Sequence, residues 1–369
     1  MSRAVKFFKK QTVLCIAVLA ALLSCIIVPP DREYLEYFDL KTLTCLFLTL
    51  AVICALRNIK FFTLVSEKVV LLTGNLRVLV LVLVWITFIG SMIIANDMAL
   101  ITFLPLSLFA LQTTDNEDHM AYVFILQNIS ANLGGMVTPF GNPQNLYLYS
   151  YFNIPTGEFT AVMLPPFLLA VAMLTGACFF LPRRPLALRR RMEEKLNGRR
   201  AAVYLALFAF SILIVFRVVP YWIGLILIPA VLIPMDRSAL KSVDYALLMT
   251  FVMFFIFAGN MSRMELVNRV LSALLRREPL LVSIASCQVI SNVPTAILLS
   301  RFTADYRPLL LGVNIGGTGT LISSLASLIT FSEYRILYPE QGKHYLLLFT
   351  LMNLIFLAVM TLFARFVLL

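Results

Sequence analysis

Apolar residues run along this chain in long blocks separated by short polar or charged segments. The blocks lie at about 11–29, 40–56, 76–112, 120–152, 159–181, 201–218, 220–235, 243–260, 279–300, 308–332 and 344–368. A helix rises 1.5 Å per residue, so roughly 20 apolar residues cross a hydrocarbon core. Most blocks therefore predict membrane-spanning helices. Two further stretches read as helices lying on the membrane surface. Residues 59–75 mix apolar and charged positions, and 264–277 place Leu266, Val267, Val270, Leu271, Leu274 and Leu275 on one helical face.

Four blocks are interrupted near their middle. Ala95-Asn96-Asp97 breaks the block 76–112, and Ser291-Asn292-Val293-Pro294-Thr295 breaks 279–300. The arm before Ser291 is only about a dozen residues, roughly 18 Å of helix, which is about half a bilayer. These two blocks predict re-entrant hairpins with tips at Asn96 and Asn292. Two ordinary spans joined by a surface turn at Asn96-Asp97 is the alternative. Asn132 to Thr138, followed by Pro139-Phe140-Gly141-Asn142-Pro143, breaks 120–152, and Asn314 to Thr320 breaks 308–332. Glycine permits non-helical backbone and proline removes a helix donor, so each of these spans becomes two half-helices. Polar backbone at membrane depth is costly unless it lines an enclosed cavity.

The breaks come in the same order twice. Asn96 aligns with Asn292 (292 − 96 = 196) and Asn132 with Asn314 (314 − 132 = 182), and a longer connection at Thr113–His119 absorbs the difference. Counting spans gives the hairpins opposite sides of approach, the first from the cytoplasm and the second from outside. The expected fold is an all-α polytopic membrane protein of about 10–11 membrane segments, an inverted repeat with two re-entrant hairpins and two broken helices. Its expected parts are N-terminal scaffold helices (1–75), repeat 1 (76–182), a basic cytoplasmic loop (183–200), second scaffold helices (201–278) and repeat 2 (279–369).

Composition agrees. The 369 residues are 60% hydrophobic and 13% charged, against about 25% charged in soluble domains. Of the net +11, the stretch 183–200 supplies +6, from eight basic and two acidic residues. A loop that fixes topology explains this better than a nucleic-acid surface. Arg3, Lys6, Lys9 and Lys10 precede the first block, which places the N-terminus in the cytoplasm. This start resembles a signal peptide but shows no small-residue cleavage site, so a retained helix in the cytoplasmic (inner) membrane is expected. Cys15, Cys25, Cys45, Cys54, Cys178 and Cys287 all sit in apolar blocks with no CxxC pair, as small buried hydrophobes.

The breaks suggest a chemistry. Half-helix N-termini attract anions. Unwound carbonyls, with the hydroxyls of Thr138, Thr318, Thr320 and Ser323, suit a small hard cation such as sodium. Candidate substrate ligands are Asn96, Asp97, Thr138, Asn142, Ser291, Asn292, Thr295 and Thr318. Candidate cation-binding or coupling positions are Asp97, Asn132, Gly134, Asn314, Gly316 and Thr320. No lysine or arginine lies in either broken region. Asp97 is the one carboxylate between Val78 and Thr114; it would cycle a proton or, alternatively, cap the following half-helix.

At NDMALITFLP (96–105), NLGGMVTPFGNPQN (132–145), SNVPT (291–295) and NIGGTGTLISSLASL (314–328) the sequence resembles the ion transporter superfamily. It is most similar to the citrate-transporter-like and arsenite-permease-like branches, relatives of the divalent anion/sodium symporters. The resemblance covers nearly the whole chain. It implies a scaffold domain, a mobile transport domain, elevator-type movement and often a homodimer. In the dicarboxylate symporters a Ser-Asn-Thr at each tip contacts substrate carboxylate, and Asn96 and Asn292 match its asparagine. The departures, Ala95-Asn96-Asp97 and Ser291-Asn292-Val293, bring the first tip closer to arsenite permeases and sodium/proton antiporters.

The expected function is secondary transport of a small anion, coupled to a proton or sodium gradient, with no cofactor and no nucleic-acid partner. The alternative is a sodium/proton antiporter using Asp97, or a non-transporting membrane subunit. An enzyme is disfavoured, since His119 and His344 both lie outside the breaks and no HExxH or Walker-type loop occurs.

Overall fold

The computed structural model of this protein describes residues 12–186 and 196–369. The basic flank at Arg3–Lys10 and the middle of the basic loop, residues 187–195, lie outside the described residues. The described chain is helical throughout, with no strand beyond a single bridge between Asn75 and Pro185. In chain order the helices are α1 (Thr12–Ile27), α2 (Leu40–Asn58), α3 (Phe61–Val70), α4 (Leu76–Ile94), α5 (Asn96–Gln112), α6 (Met120–Gly134), α7 (Pro143–Tyr151), α8 (Thr156–Cys178) and α9 (Gly198–Val215). Then come α10 (Tyr221–Met235), α11 (Arg237–Lys241), α12 (Tyr245–Arg263), α13 (Glu265–Arg277), α14 (Pro279–Ile290), α15 (Asn292–Leu299), α16 (Tyr306–Ile315), α17 (Leu325–Leu337) and α18 (Gly342–Phe363).

Among the described residues, seven helical stretches are long and apolar enough to cross a membrane, and four more apolar helices are shorter. Asp236 to Lys241, which reads from sequence as a polar link, is itself a one-turn helix, because the Asp236 carboxylate accepts from Ala239 N at 3.2 Å and caps it. Other starts follow the same rule. Asp39 accepts from Thr42 N, Asn75 from Val78 N, Asp244 from Leu247 N and Ser324 from Ser327 N.

Burial sorts the helices into an inner and an outer set. Every residue of α6 except Tyr122 is buried, as are residues 308–315 of α16. Helices α8 and α18 instead carry broad exposed apolar faces. The inner helices are the ones with uncharged polar residues. Hydrocarbon offers those groups no partner, so the protein does. Gln127 Nε2 of α6 donates to Thr87 Oγ1 of α4 at 2.9 Å, and Asn128 Nδ2 to Ser327 Oγ of α17 at 3.3 Å.

The packing is reciprocal. α4 contacts α5 and α6, and α14 contacts α15 and α16. The second piece of each broken segment packs on the other set of helices. α7 packs on α15 and α16, while α17 packs on α5 and α6. α1 stands apart, packed chiefly on α12, with Leu19, Leu22, Leu23 and Ile26 exposed on its other side. The loop after α1 is held by Arg263, whose Nη2 meets Asp31 Oδ2 at 2.6 Å and whose Nη1 donates to Tyr37 Oη at 3.1 Å.

Two stability predictions follow from this packing. A Cβ at Gly259 would lie 2.5 Å from buried ring carbons of Tyr37. Gly259→Ala should therefore destabilise by about 1–3 kcal/mol, lowering the thermal midpoint in detergent. Gly176→Ala, with open space around it, should hold or raise that midpoint. The hydrogen bond from Arg263 keeps the exposed Asp31 carboxyl below its ordinary value of 3.8. A lowered value means the tie is intact at neutral pH and is lost as pH falls through that lowered value. The midpoints of wild type and Asp31→Asn should differ near neutrality and converge in strong acid.

Candidate functional site

The two hairpin tips share an unusual backbone. Ala95 has φ 64°, ψ 156° and Ser291 has φ 73°, ψ 160°. This region is nearly exclusive to glycine and costs about 1–3 kcal/mol for other residues, which persist there only when their surroundings hold them. The surroundings do so at both tips. Thr138 Oγ1 donates to Met92 O at 2.9 Å, and Thr320 Oγ1 to Gln288 O at 3.0 Å. Thr320 is offset from Thr138 by 182, and Gln288 from Met92 by 196. These are the offsets that relate the asparagines.

The glycines recur in the same way. A Cβ at Gly134 would lie 2.3 Å from Phe88 O and 2.4 Å from Ser91 Oγ; one at Gly316 would lie 2.9 Å from Cys287 Cβ. Each broken segment therefore presses its bare backbone onto the first arm of its own hairpin. Asn142 and Ser324, again 182 apart, are the N-cap residues of α7 and α17.

Amides hold the unwound segments. Asn145 Nδ2 faces the carbonyls of Gly135, Met136 and Thr138 at 3.1, 3.2 and 3.3 Å. Gln288 Nε2 faces those of Gly316 and Thr318 at 2.9 and 3.2 Å, while its Oε1 accepts from Thr320 N at 2.8 Å. Asn314 Nδ2 donates to Asn145 Oδ1 at 2.6 Å, joining the second broken segment to the first. Sequence reasoning passed over Asn145 and Gln288. The signal was present, since each is an uncharged amide inside an otherwise apolar block.

Both tips open on one cavity of about 470 Å3. Its polar lining is Asn96, Asp97, Gln144, Thr250, Ser291 and Asn292; the remaining walls are apolar, from α1, Pro143, α12, α14, α15 and residues 322–328. Among the described residues, no lysine, arginine or histidine lines it. Of the candidate substrate ligands, Asn96, Asp97, Ser291 and Asn292 come together here. Thr138, Thr295 and Thr318 do not line the cavity; their hydroxyls donate to the carbonyls of Met92, Ser291 and Ile315. Asn142 is buried behind it with neither side-chain polar atom paired. Gln144 and Thr250 are cavity residues that no break in the apolar pattern marks.

The candidate coupling positions lie around this cavity. Asn132 Oδ1 accepts from Asn96 Nδ2 at 3.3 Å. A Cβ at Gly317 would lie 3.1 Å from Asn292 Nδ2, 3.3 Å from Asn314 O and 3.6 Å from Asn132 Oδ1, so glycine there lets both halves' asparagines converge. Gly134 and Gly316 serve packing, and Thr320 is tied to Gln288. Asp97 does not cap α5. Its N-cap position is Ala95, and Asp97 Oδ1 is buried without a hydrogen-bond partner.

Polar, uncharged helix breaks around a cavity inside an apolar helical bundle define a membrane transporter. More particularly, the family profile described as citrate transporter matches residues 8–308, and the chain belongs to that family. It is 30% identical over 306 residues to an uncharacterized transporter of Methanocaldococcus jannaschii, covering 81% of this chain and 82% of that one. It is 28% identical over 276 residues to the inner membrane protein YbiR of Escherichia coli K12, covering 73% of each. An uncharacterized transporter of Haemophilus influenzae is 29% identical over 201 residues, covering 53% of this chain and 43% of that one.

Relieving the strain at the first tip tests this geometry. Ala95→Gly should stabilise by about 1 kcal/mol, the strain released less the glycine entropy cost, and Ala95→Val should destabilise. Ser291→Gly should gain less, because Ser291 Oγ also donates to Ser323 O at 3.2 Å. A lowered thermal midpoint for Ala95→Gly would contradict the strained backbone.

Proposed function

We propose that this protein is a secondary active transporter that carries a small anion, a carboxylate or an inorganic oxyanion, across the cytoplasmic membrane, coupled to a proton or sodium gradient. The observation that carries the reading is the meeting of Asn96 and Asn292 at one cavity. Each asparagine opens a half-helix whose positive end faces that cavity. The contacts that recur at offsets of 196 and 182 support an inverted repeat, with residues 76–182 and 279–369 as its units and the rest as scaffold. The name of the Escherichia coli relative, an inner membrane protein, supports the location. Elevator-type movement of the two repeats against the scaffold is part of the same reading.

The second reading, a sodium/proton antiporter, is favoured by one observation, the unpaired buried oxygen of Asp97. A buried carboxylate without a partner is suited to exchange a cation for a proton.

Proteoliposomes separate the two. Proton and sodium movement would be followed on adding citrate, succinate, sulfate, arsenite or sodium alone. The expected result is ion movement that needs an anion and falls about 10–100-fold in Asn292→Ala, the loss for one hydrogen bond to a charged group. A signal with sodium alone, abolished in Asp97→Asn, would replace this reading with the antiporter.

A further inference from the structure

The two tips are not chemically equivalent, and their difference narrows the substrate. At the second tip the donors are already engaged. Asn292 N donates to Ser323 O at 3.0 Å, Val293 N to Asn292 Oδ1 at 2.9 Å, and Pro294 has no N–H. What this tip still offers is the Asn292 amide nitrogen. At the first tip, among the described residues, no group accepts from the backbone N–H of Asn96, Asp97 or Met98, so the opening N–H groups of α5 stay unpaired. Beside them stands the Asp97 carboxyl.

The two unpaired buried polar atoms at the cavity are acceptors, Asp97 Oδ1 and Gln144 Oε1, and Gln144 is only 1% exposed. An anion facing these acceptors needs a proton between them. Citrate or a dicarboxylate would bring two or three charges to a cavity with one open dipole end, apolar walls and, among the described residues, no cationic side chain. A single carboxylate meets one tip and leaves its body to Phe254, Phe257, Val289 and Ile290.

We propose that the occupant of this cavity is an organic acid with one carboxyl group and an apolar body, bound together with one proton shared between its carboxylate and Asp97. This rests on the transport reading above. The charges balance, since one anion and one proton enter together and leave together. Two carboxylates in contact cannot both stay ionised. The charged neighbours of Asp97 are Asp244 at the N-cap of α12 and Arg57 of α2, whose Nη1 donates to Met98 Sδ at 3.2 Å. From α4 and α6 the groups near the tip are uncharged, Ser91 and Asn132. Lys68 of α3, Arg77 of α4, and Glu333 and Arg335 of α17 do not line the cavity.

The test is a binding and uptake series with the full chain in proteoliposomes. The probes are acetate, butyrate, hexanoate, benzoate, succinate and citrate. Affinity should rise about threefold to fourfold for each added methylene, succinate and citrate should compete poorly, and one proton should move per monoacid. Asp97→Asn, whose amide donates where the shared proton stood, should still bind the monoacid but lose the pH dependence and the proton movement. Phe254→Ala should flatten the chain-length series while leaving the pH dependence in place. Uptake of citrate or succinate with no response to the monoacids would overturn this inference and leave the transporter reading intact. Silence toward every solute in folded protein would overturn both.

Discussion

Hydrocarbon cannot hydrogen-bond, and the rest of this architecture depends on that constraint. Each polar group placed at membrane depth must find its partner within the protein. Uncharged polar residues are densest on α6, where Gln127, Asn128, Ser130 and Asn132 are all buried. Amide side chains complete the arrangement. Asn145 and Gln288 stand in for the helix bonds that the two broken segments lose. A serine or alanine in either place would leave backbone carbonyls bare in a medium without water. The arrangement is self-supporting, since Asn314 donates to Asn145 and the amide of one unit thereby steadies the loop of the other.

The same constraint explains what the amino-acid pattern disclosed. Helices in lipid read out as uninterrupted apolar runs, so their bounds were legible to within a few residues. Ala95 and Ser291, the backbone reversals, each fall beside the polar residue that marked them. The hidden part was chemical. Asn96 and Asn292 were visible because they interrupt a pattern. Gln144 and Thr250 were not, because a cavity residue differs from a buried one only by what lies opposite, and that is set by contacts far apart in sequence. Thr295 lies off the cavity for a related reason. A hydroxyl on a helix in an apolar setting satisfies itself on the carbonyl four residues back, as Thr295 does with Ser291. Its presence in a polar motif is then no sign that it faces a solute.

Symmetry of frame with asymmetry of chemistry is the other lesson. The strained turns, the threonine bonds and the pressed glycines recur in both units, so the frame is common property. The tips themselves diverge. One spends its donors on Ser323 O and on the Asn292 side chain, and the other keeps them open beside a carboxyl.

Helix α1 has a consequence of its own. Val13, Ile16 and Ala20 line the cavity while, among the described residues, nothing covers Leu19, Leu22, Leu23 and Ile26 of the same helix. One helix is therefore the whole thickness of that wall. Acyl chains press on its outer side, so bilayer thickness and lateral pressure bear directly on the chamber within. Two membranes of different composition would present this protein with two different chambers, though not one residue had changed.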